Sequence, residues 1–249
     1  MRSREERAVI IKVLLAVTMS LLIDSCTISS ARSQAKAPHE EASPPPNPDP
    51  LEWFNQPVFQ FNLKLDEYVL RPVATGYAKI VPTPGRRRVD NFFKNLFVVQ
   101  RFANNLFQGK FPKAGQAVGR FVLNTAIGGV GLFDVADDWL GWTDSGEDFG
   151  QTLAFYGVSS GPYLVLPFWG PSTIRDTVGL AADAAMNPMN YLLSTTEALA
   201  VNGGLVIGNA INSRSLNLEL FEDADRYSVD LYGAVQDAYL QRREKQIEE

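Results

Sequence analysis

The sequence is almost without the side chains on which most enzyme chemistry runs. It holds one cysteine, Cys26, and one histidine, His39, and both precede the region able to build a core. That region therefore has no thiol nucleophile, no imidazole base and no Cys/His metal set, and no disulfide can form within the chain. Basic surplus is missing too: 23 Lys and Arg stand against 28 Asp and Glu, leaving no electrostatic footprint for nucleic acid. Gly128-Gly129-Val130-Gly131 follows a helical pattern and lacks the Lys-Ser/Thr of a phosphate-binding loop. No cofactor, no metal and no enzymatic activity are expected. A chain of 249 residues has room for one or two domains, and one is expected once the N-terminal segment is set aside.

Charge itself is missing from the middle of the chain. The 26 positions from Phe149 to Ile174 carry none, and from Phe149 to Ser213 the only charges are Arg175, Asp176, Asp183 and Glu197. Gly150, Gly157, Gly161, Pro162, Pro167, Gly170 and Pro171 interrupt the first part too often for a membrane-spanning helix. Its longest apolar run, Tyr163-Leu164-Val165-Leu166-Pro167-Phe168-Trp169, is framed by Gly-Pro on both sides. Two readings stand: a buried strand or loop threading a core, or a wall facing lipid or a lipid path. In the second, Tyr163, Leu164, Val165, Leu166, Phe168 and Trp169 belong to the path or band, with Arg175 and Asp176 at its boundary. In the first, Arg175 and Asp176 pair with one another or cap a helix starting near Pro171. A domain of this size cannot bury every charge-poor segment, so some apolar surface should meet lipid, a channel or another protein.

What is present at the start of the chain is an export signal. Arg2, Arg4, Arg7 and Lys12 precede an 11-residue apolar run, Val13 to Ile23, too short to span a bilayer. It ends Ile23-Asp24-Ser25-Cys26, which looks like a bacterial lipobox with an atypical Asp24 and Cys26 as the acylated residue. Thr27, rather than Asp, follows the cysteine and points to the outer membrane. Residues 1–25 read as a lipoprotein signal peptide and 26–48 as a Pro/Ser-rich tether carrying an inert His39. Residues 49–249 read as a helical domain. The Asp49-Pro50-Leu51-Glu52 start is read as a capped helix, followed by a stripe of Leu51, Phe54, Val58, Phe61 and Leu65.

Pro57 and Pro72 are expected to kink or restart their helices. Further helices are expected from Thr83, from Pro112 to about Ile127, from Pro171 to Met186 and from Thr196 to Ile211, with two more after Leu216. Arg86-Arg87-Arg88 read as a solvated basic turn or one that meets an acidic surface or lipid phosphate. Asp134, Asp137, Asp138, Asp144, Glu147 and Asp148 read as a solvated acidic rim. Asn55, Phe61 and Asn62 are assigned to packing of the first helix. Trp139, Trp142 and Trp169 suit a membrane interface, with core packing an equal reading for Trp169.

Four stretches together resemble the MlaA/VacJ outer-membrane lipoprotein family. They are D-P-L-E-x-F-N with F-x-F-N (Asp49 to Asn62), the helices around Phe102 to Ala114, E-D-F-G-Q-T-L with G-P-Y-L-V-L-P-F-W-G-P-S-T-I-R-D (Glu147 to Asp176), and D-A-Y-L-Q-R-R (Asp237 to Arg243). The resemblance covers about Asp49 to Arg243. It implies a mainly α, ring-like bundle of amphipathic helices lying in one leaflet of the outer membrane, with a central amphipathic channel. It further implies association with a trimeric porin and transfer of mislocalised phospholipid from the outer leaflet to a soluble periplasmic carrier. A lipid-anchored, porin-binding scaffold that moves nothing is the rival reading. A lipid hydrolase is disfavoured because the foldable region has no histidine.

Overall fold

The computed structural model describes residues 49–248, so the signal segment, Cys26, His39 and the tether lie outside the described residues. The described chain is mainly helical. Helix α1 covers Glu52–Leu65 and passes through a π-helical turn, Asp66–Leu70, into α2, Arg71–Ile80. Pro57 does not break α1: it is exposed and its missing N–H removes a single bond near the helix start. Ahead of Pro72 the widened turn replaces a kink, giving room to a ring that would otherwise press on the carbonyl one turn back. Asp49 does not cap α1 from the N-cap position, which Leu51 occupies. Its carboxylate accepts the Leu51 N–H at 2.8 Å, the Asn55 amide at 2.8 Å and the Tyr232 hydroxyl, tying the helix start to the end of the chain.

Helices α3 (Thr83–Leu96), α4 (Val98–Phe107), α5 (Phe111–Ala126), α6 (Val135–Leu140) and α7 (Phe149–Phe155) follow. Arg86, in the first turn of α3, finds its partner inside the protein: it donates to the Ser215 carbonyl at the end of a later helix, where the dipole is negative. Arg88 lies over the Phe133 ring at 4.4 Å. The Gly161 to Asp176 stretch forms a β-hairpin, β1 (Tyr163–Leu166) against β2 (Gly170–Thr173), antiparallel with Tyr163 opposite Thr173 and Leu166 opposite Gly170. Because β2 takes Pro171, helix α8 begins later than expected and covers Ile174–Ala185, with the Thr173 hydroxyl capping it. The chain continues through α9 (Met189–Leu192), α10 (Thr195–Leu216), α11 (Leu218–Tyr227) and α12 (Leu231–Glu248). A capping box between Ser194 and Glu197 starts α10. Among the described residues no helix is long and apolar enough to cross a membrane.

The apolar stripes of α4, α5 and α8 face outward. In α5, Ala114, Ala117, Arg120 and Asn124 are buried, while Phe111, Val118, Phe121 and Val122 are exposed. In α4 the buried residues are Gln100, Asn104 and Asn105, and Val99, Leu106 and Phe107 are exposed. The same inversion holds in α8, where Arg175, Asp176 and Asp183 are inside and Ile174 and Val178 outside. Buried polar or charged residues number 22 among the described residues against 13 buried hydrophobic ones, the reverse of the usual order in a water-soluble domain. Neighbours pack closely where side chains vanish: a Cβ on Gly179 of α8 would lie 2.4 Å from the backbone nitrogen of Gly150 in α7. Small residues and buried polar groups are what hold helices together when their outer faces gain nothing from leaving water.

Candidate functional site

The hairpin is held by α1 through two asparagines seven residues apart, on one helix face. Asn55 donates to the Tyr163 carbonyl at 3.0 Å and accepts from the Val165 N–H at 2.7 Å. Asn62 donates to the Leu166 carbonyl at 2.9 Å and accepts from the Phe168 N–H at 2.8 Å. Each carboxamide thus behaves like one residue of a neighbouring strand and satisfies the free edge of β1. Pro167 and Phe168 form the hairpin turn, and Phe168 adopts φ 68°, a conformation glycine or asparagine usually supplies. Its ring meets Phe61 edge-on with centroids 5.3 Å apart. Phe59, Tyr163 and Val165 form a dry cluster behind the hairpin, packed by Val58, Leu231 and Tyr232 among others.

On the other side of the hairpin lies a polar network. Arg243 of α12 makes a two-pronged contact with Asp148 at 2.6 and 3.1 Å and with Asp176 at 2.8 and 3.1 Å. The Tyr239 hydroxyl donates to Asp176 at 2.7 Å, and Arg175 donates to the same carboxylate at 3.0 Å. Burial alone would raise both carboxyls, but the Arg243 guanidinium holds Asp148 and Asp176 below the ordinary carboxylate range. Asp183 accepts the Asn104 amide at 2.8 Å and the Phe149 N–H at 3.0 Å, yet burial and the nearby Asp148 push it up to about 7. From Asn104 the chain of bonds runs through Thr152 and Gln108 to Glu147, which Lys110 meets at 2.9 Å.

These contacts correct the reading of a solvated acidic rim. Glu147 is buried, Asp148 is bound to Arg243, Asp134 to Arg120 at 2.8 Å and Asp144 to Arg101 at 3.1 Å, leaving Asp137 and Asp138 exposed.

Between the hairpin, α3, α4, α8, α10 and α12 is a cavity of about 310 Å³. One part of its wall is apolar, from Phe93, Phe97, Leu166, Trp169 and Leu180; the rest is charged or polar, including Lys94, Arg101, Asp144, Arg242 and Arg243. Among the expected path residues, Leu166, Trp169 and Asp176 line this cavity. Tyr163 and Val165 are buried in the dry cluster, Leu164 is half-buried, Phe168 is exposed at the turn, and Arg175 is buried against Asp176. Trp139 is exposed and Trp142 half-buried. Among the described residues no cluster of His, Cys, Asp and Glu could hold a metal ion.

Among the network residues, Gln100, Asn104 and Gln108 were given no role from the sequence, Asp183 appeared only as one of the few mid-chain charges, and Tyr239 and Arg243 only within the D-A-Y-L-Q-R-R stretch. A signal for them exists: Gln100, Asn104 and Gln108 recur every four residues beside an apolar stripe, and Tyr239 and Arg243 share a face of α12.

Comparison with known proteins agrees with this architecture. Residues 47–246 match the family described as MlaA lipoprotein. The chain is 37% identical over 203 residues to the intermembrane phospholipid transport system lipoprotein MlaA of Escherichia coli (strain K12), covering 79% of this chain and 77% of that protein. It is 36% identical over 201 residues to an uncharacterised protein of Rickettsia typhi, covering 80% and 78%. A solved structure reported under "Structural basis for maintenance of bacterial outer membrane lipid asymmetry" superposes with TM-score 0.68 at 36% identity, covering 81% of this chain and all of that one. By extent and identity of match, this chain belongs to the MlaA lipoprotein family.

Proposed function

We propose that the protein is an outer-membrane lipoprotein, anchored through Cys26 on the periplasmic side, that removes mislocalised phospholipid from the outer leaflet. Phospholipid enters the cavity beneath the hairpin and leaves to a soluble periplasmic carrier, with a trimeric porin beside it. The observation that carries this reading is the cavity of about 310 Å³ with apolar and charged walls, set in a fold whose outer faces are apolar. That volume is at the lower end for ligand sites and suits a headgroup with its glycerol rather than a whole diacyl lipid. Acyl chains would remain against the outer apolar faces of α4 and α5 while the headgroup crosses through the polar wall. No nucleotide-binding motif supplies work, so transfer follows the relative affinities of leaflet, cavity and carrier.

A porin-binding scaffold would use the same exposed faces, including Tyr191 and Leu192, but leaves the cavity without a role. The test is outer-leaflet phospholipid in a deletion strain re-expressing wild type or Cys26→Ala. Accumulation on deletion, reversed by wild type and not by Cys26→Ala, is expected. An unchanged leaflet on deletion would leave the scaffold.

A further inference from the structure

Besides the Arg243 network, the cavity wall holds two ion pairs whose side chains are partly exposed and two residues with an unpartnered polar atom. Lys94 meets Asp90 at 2.8 Å and Arg101 meets Asp144 at 3.1 Å, all four residues lining the cavity with partly exposed side chains. Gln100 and Trp169 also line it, at 8% and 7% exposure. The carbonyl oxygen of Gln100 and the indole nitrogen of Trp169 have no hydrogen-bond partner among the described residues. Both atoms are shut off from the cavity's open space and say nothing of its occupant; the four charged side chains are the groups a ligand can reach.

The charge balance narrows the ligand. The lining has four cations against six carboxylates, and even with Asp183 raised to about 7 the carboxylates outnumber the cations there. Within the lining itself an anionic headgroup meets no surplus of positive charge. A zwitterion can instead insert into the two pairs by exchange: its phosphate takes Lys94 and Arg101 while its ammonium takes Asp90 and Asp144. Every charge then keeps a partner, which matters where screening by water is reduced.

We infer that the cavity is a headgroup-reading subsite that favours zwitterionic, ammonium-bearing glycerophospholipid over anionic phospholipid, through exchange with the Asp90–Lys94 and Arg101–Asp144 pairs. This rests on the phospholipid reading above. The full chain, with Phe97 of the cavity wall replaced by a photo-crosslinking phenylalanine analogue, is placed in vesicles of equal phosphatidylethanolamine and phosphatidylglycerol. The headgroup of the captured lipid is read by mass spectrometry. Phosphatidylethanolamine is expected in excess by about fivefold, the scale of one partly exposed ion pair.

Asp90→Asn with Asp144→Asn frees two cations and should invert the preference; Lys94→Gln with Arg101→Gln should lower capture of both lipids. Equal capture in wild type, unmoved by either double variant, overturns the subsite and leaves the transfer function standing. No lipid captured at all, with the protein folded, overturns both.

Discussion

Two regions of this molecule are held together by opposite means. Behind the hairpin, Phe59, Tyr163 and Val165 make an ordinary dry core. Across the hairpin, α4, α7, α8 and α12 meet through the hydrogen bonds and ion pairs of Asn104, Thr152, Asp183, Asp148, Asp176 and Arg243. The first region would form in water by the hydrophobic effect. The second keeps its polar groups inside and its phenylalanines and valines outside, which suits a surrounding solvent of acyl chains. The hairpin joins the two, with its free edge fastened by Asn55 and Asn62, Tyr163 and Val165 in the dry core, and Leu166 and Trp169 contributed to the cavity.

The comparison breaks first at Arg243. Arg243→Ala leaves Asp148 and Asp176 without their main partner and should cost about 4 kcal/mol of stability, measured by denaturant unfolding in detergent. Next is Gly179→Ala, whose methyl would sit 2.4 Å from Gly150 N; a loss of about 3 kcal/mol is expected in the same assay. Val165→Ala in the dry core should cost about 2 kcal/mol, and equally in detergent and in vesicles because that core does not meet the surrounding solvent.

The pH response sharpens the contrast further. With Asp183 raised to about 7, the folded protein keeps a proton that the unfolded chain has released from about pH 4 upward. Stability should therefore fall as pH rises through that window, by at most about 1.4 kcal/mol per unit, and Asp183→Asn should flatten the decline. Asp148 and Asp176 act the other way: their contribution is present above about pH 4 and is lost on further acidification. The smallest effect on the fold belongs to the outer face. Phe121→Ser should change stability in detergent by no more than about 0.5 kcal/mol while weakening association with vesicles in a flotation assay.

Much of the helical framework was legible because Phe, Leu and Val recur at steps of three and four and because Pro84 and Pro112 fall in first turns. Periodicity fixes a stripe on a helix but does not say which solvent the stripe meets, so the outward direction of Val118, Phe121 and Val122 emerged only from the packed structure. The strand in Tyr163 to Leu166 was one of two open readings, since a short apolar run has no period long enough to decide. The start of α8 was misplaced because Gly170-Pro171 resembles a helix opening, whereas the pairing with β1 and the Thr173 cap decide it. The cavity was not legible at all. It depends on Arg243 reaching Asp148 across 95 positions of sequence, a distance no local pattern encodes.

The central claim is that phospholipid passes through the cavity, and plugging it is the most direct test. Asn209 on α10 lines the cavity, and Asn209→Trp would fill part of it from a position outside the Asp148–Arg243 network. Outer-leaflet phospholipid is measured in a deletion strain re-expressing wild type or Asn209→Trp, with both proteins folded and present at equal level. Restoration by wild type and none by Asn209→Trp is predicted; restoration by Asn209→Trp as full as by wild type would contradict the account.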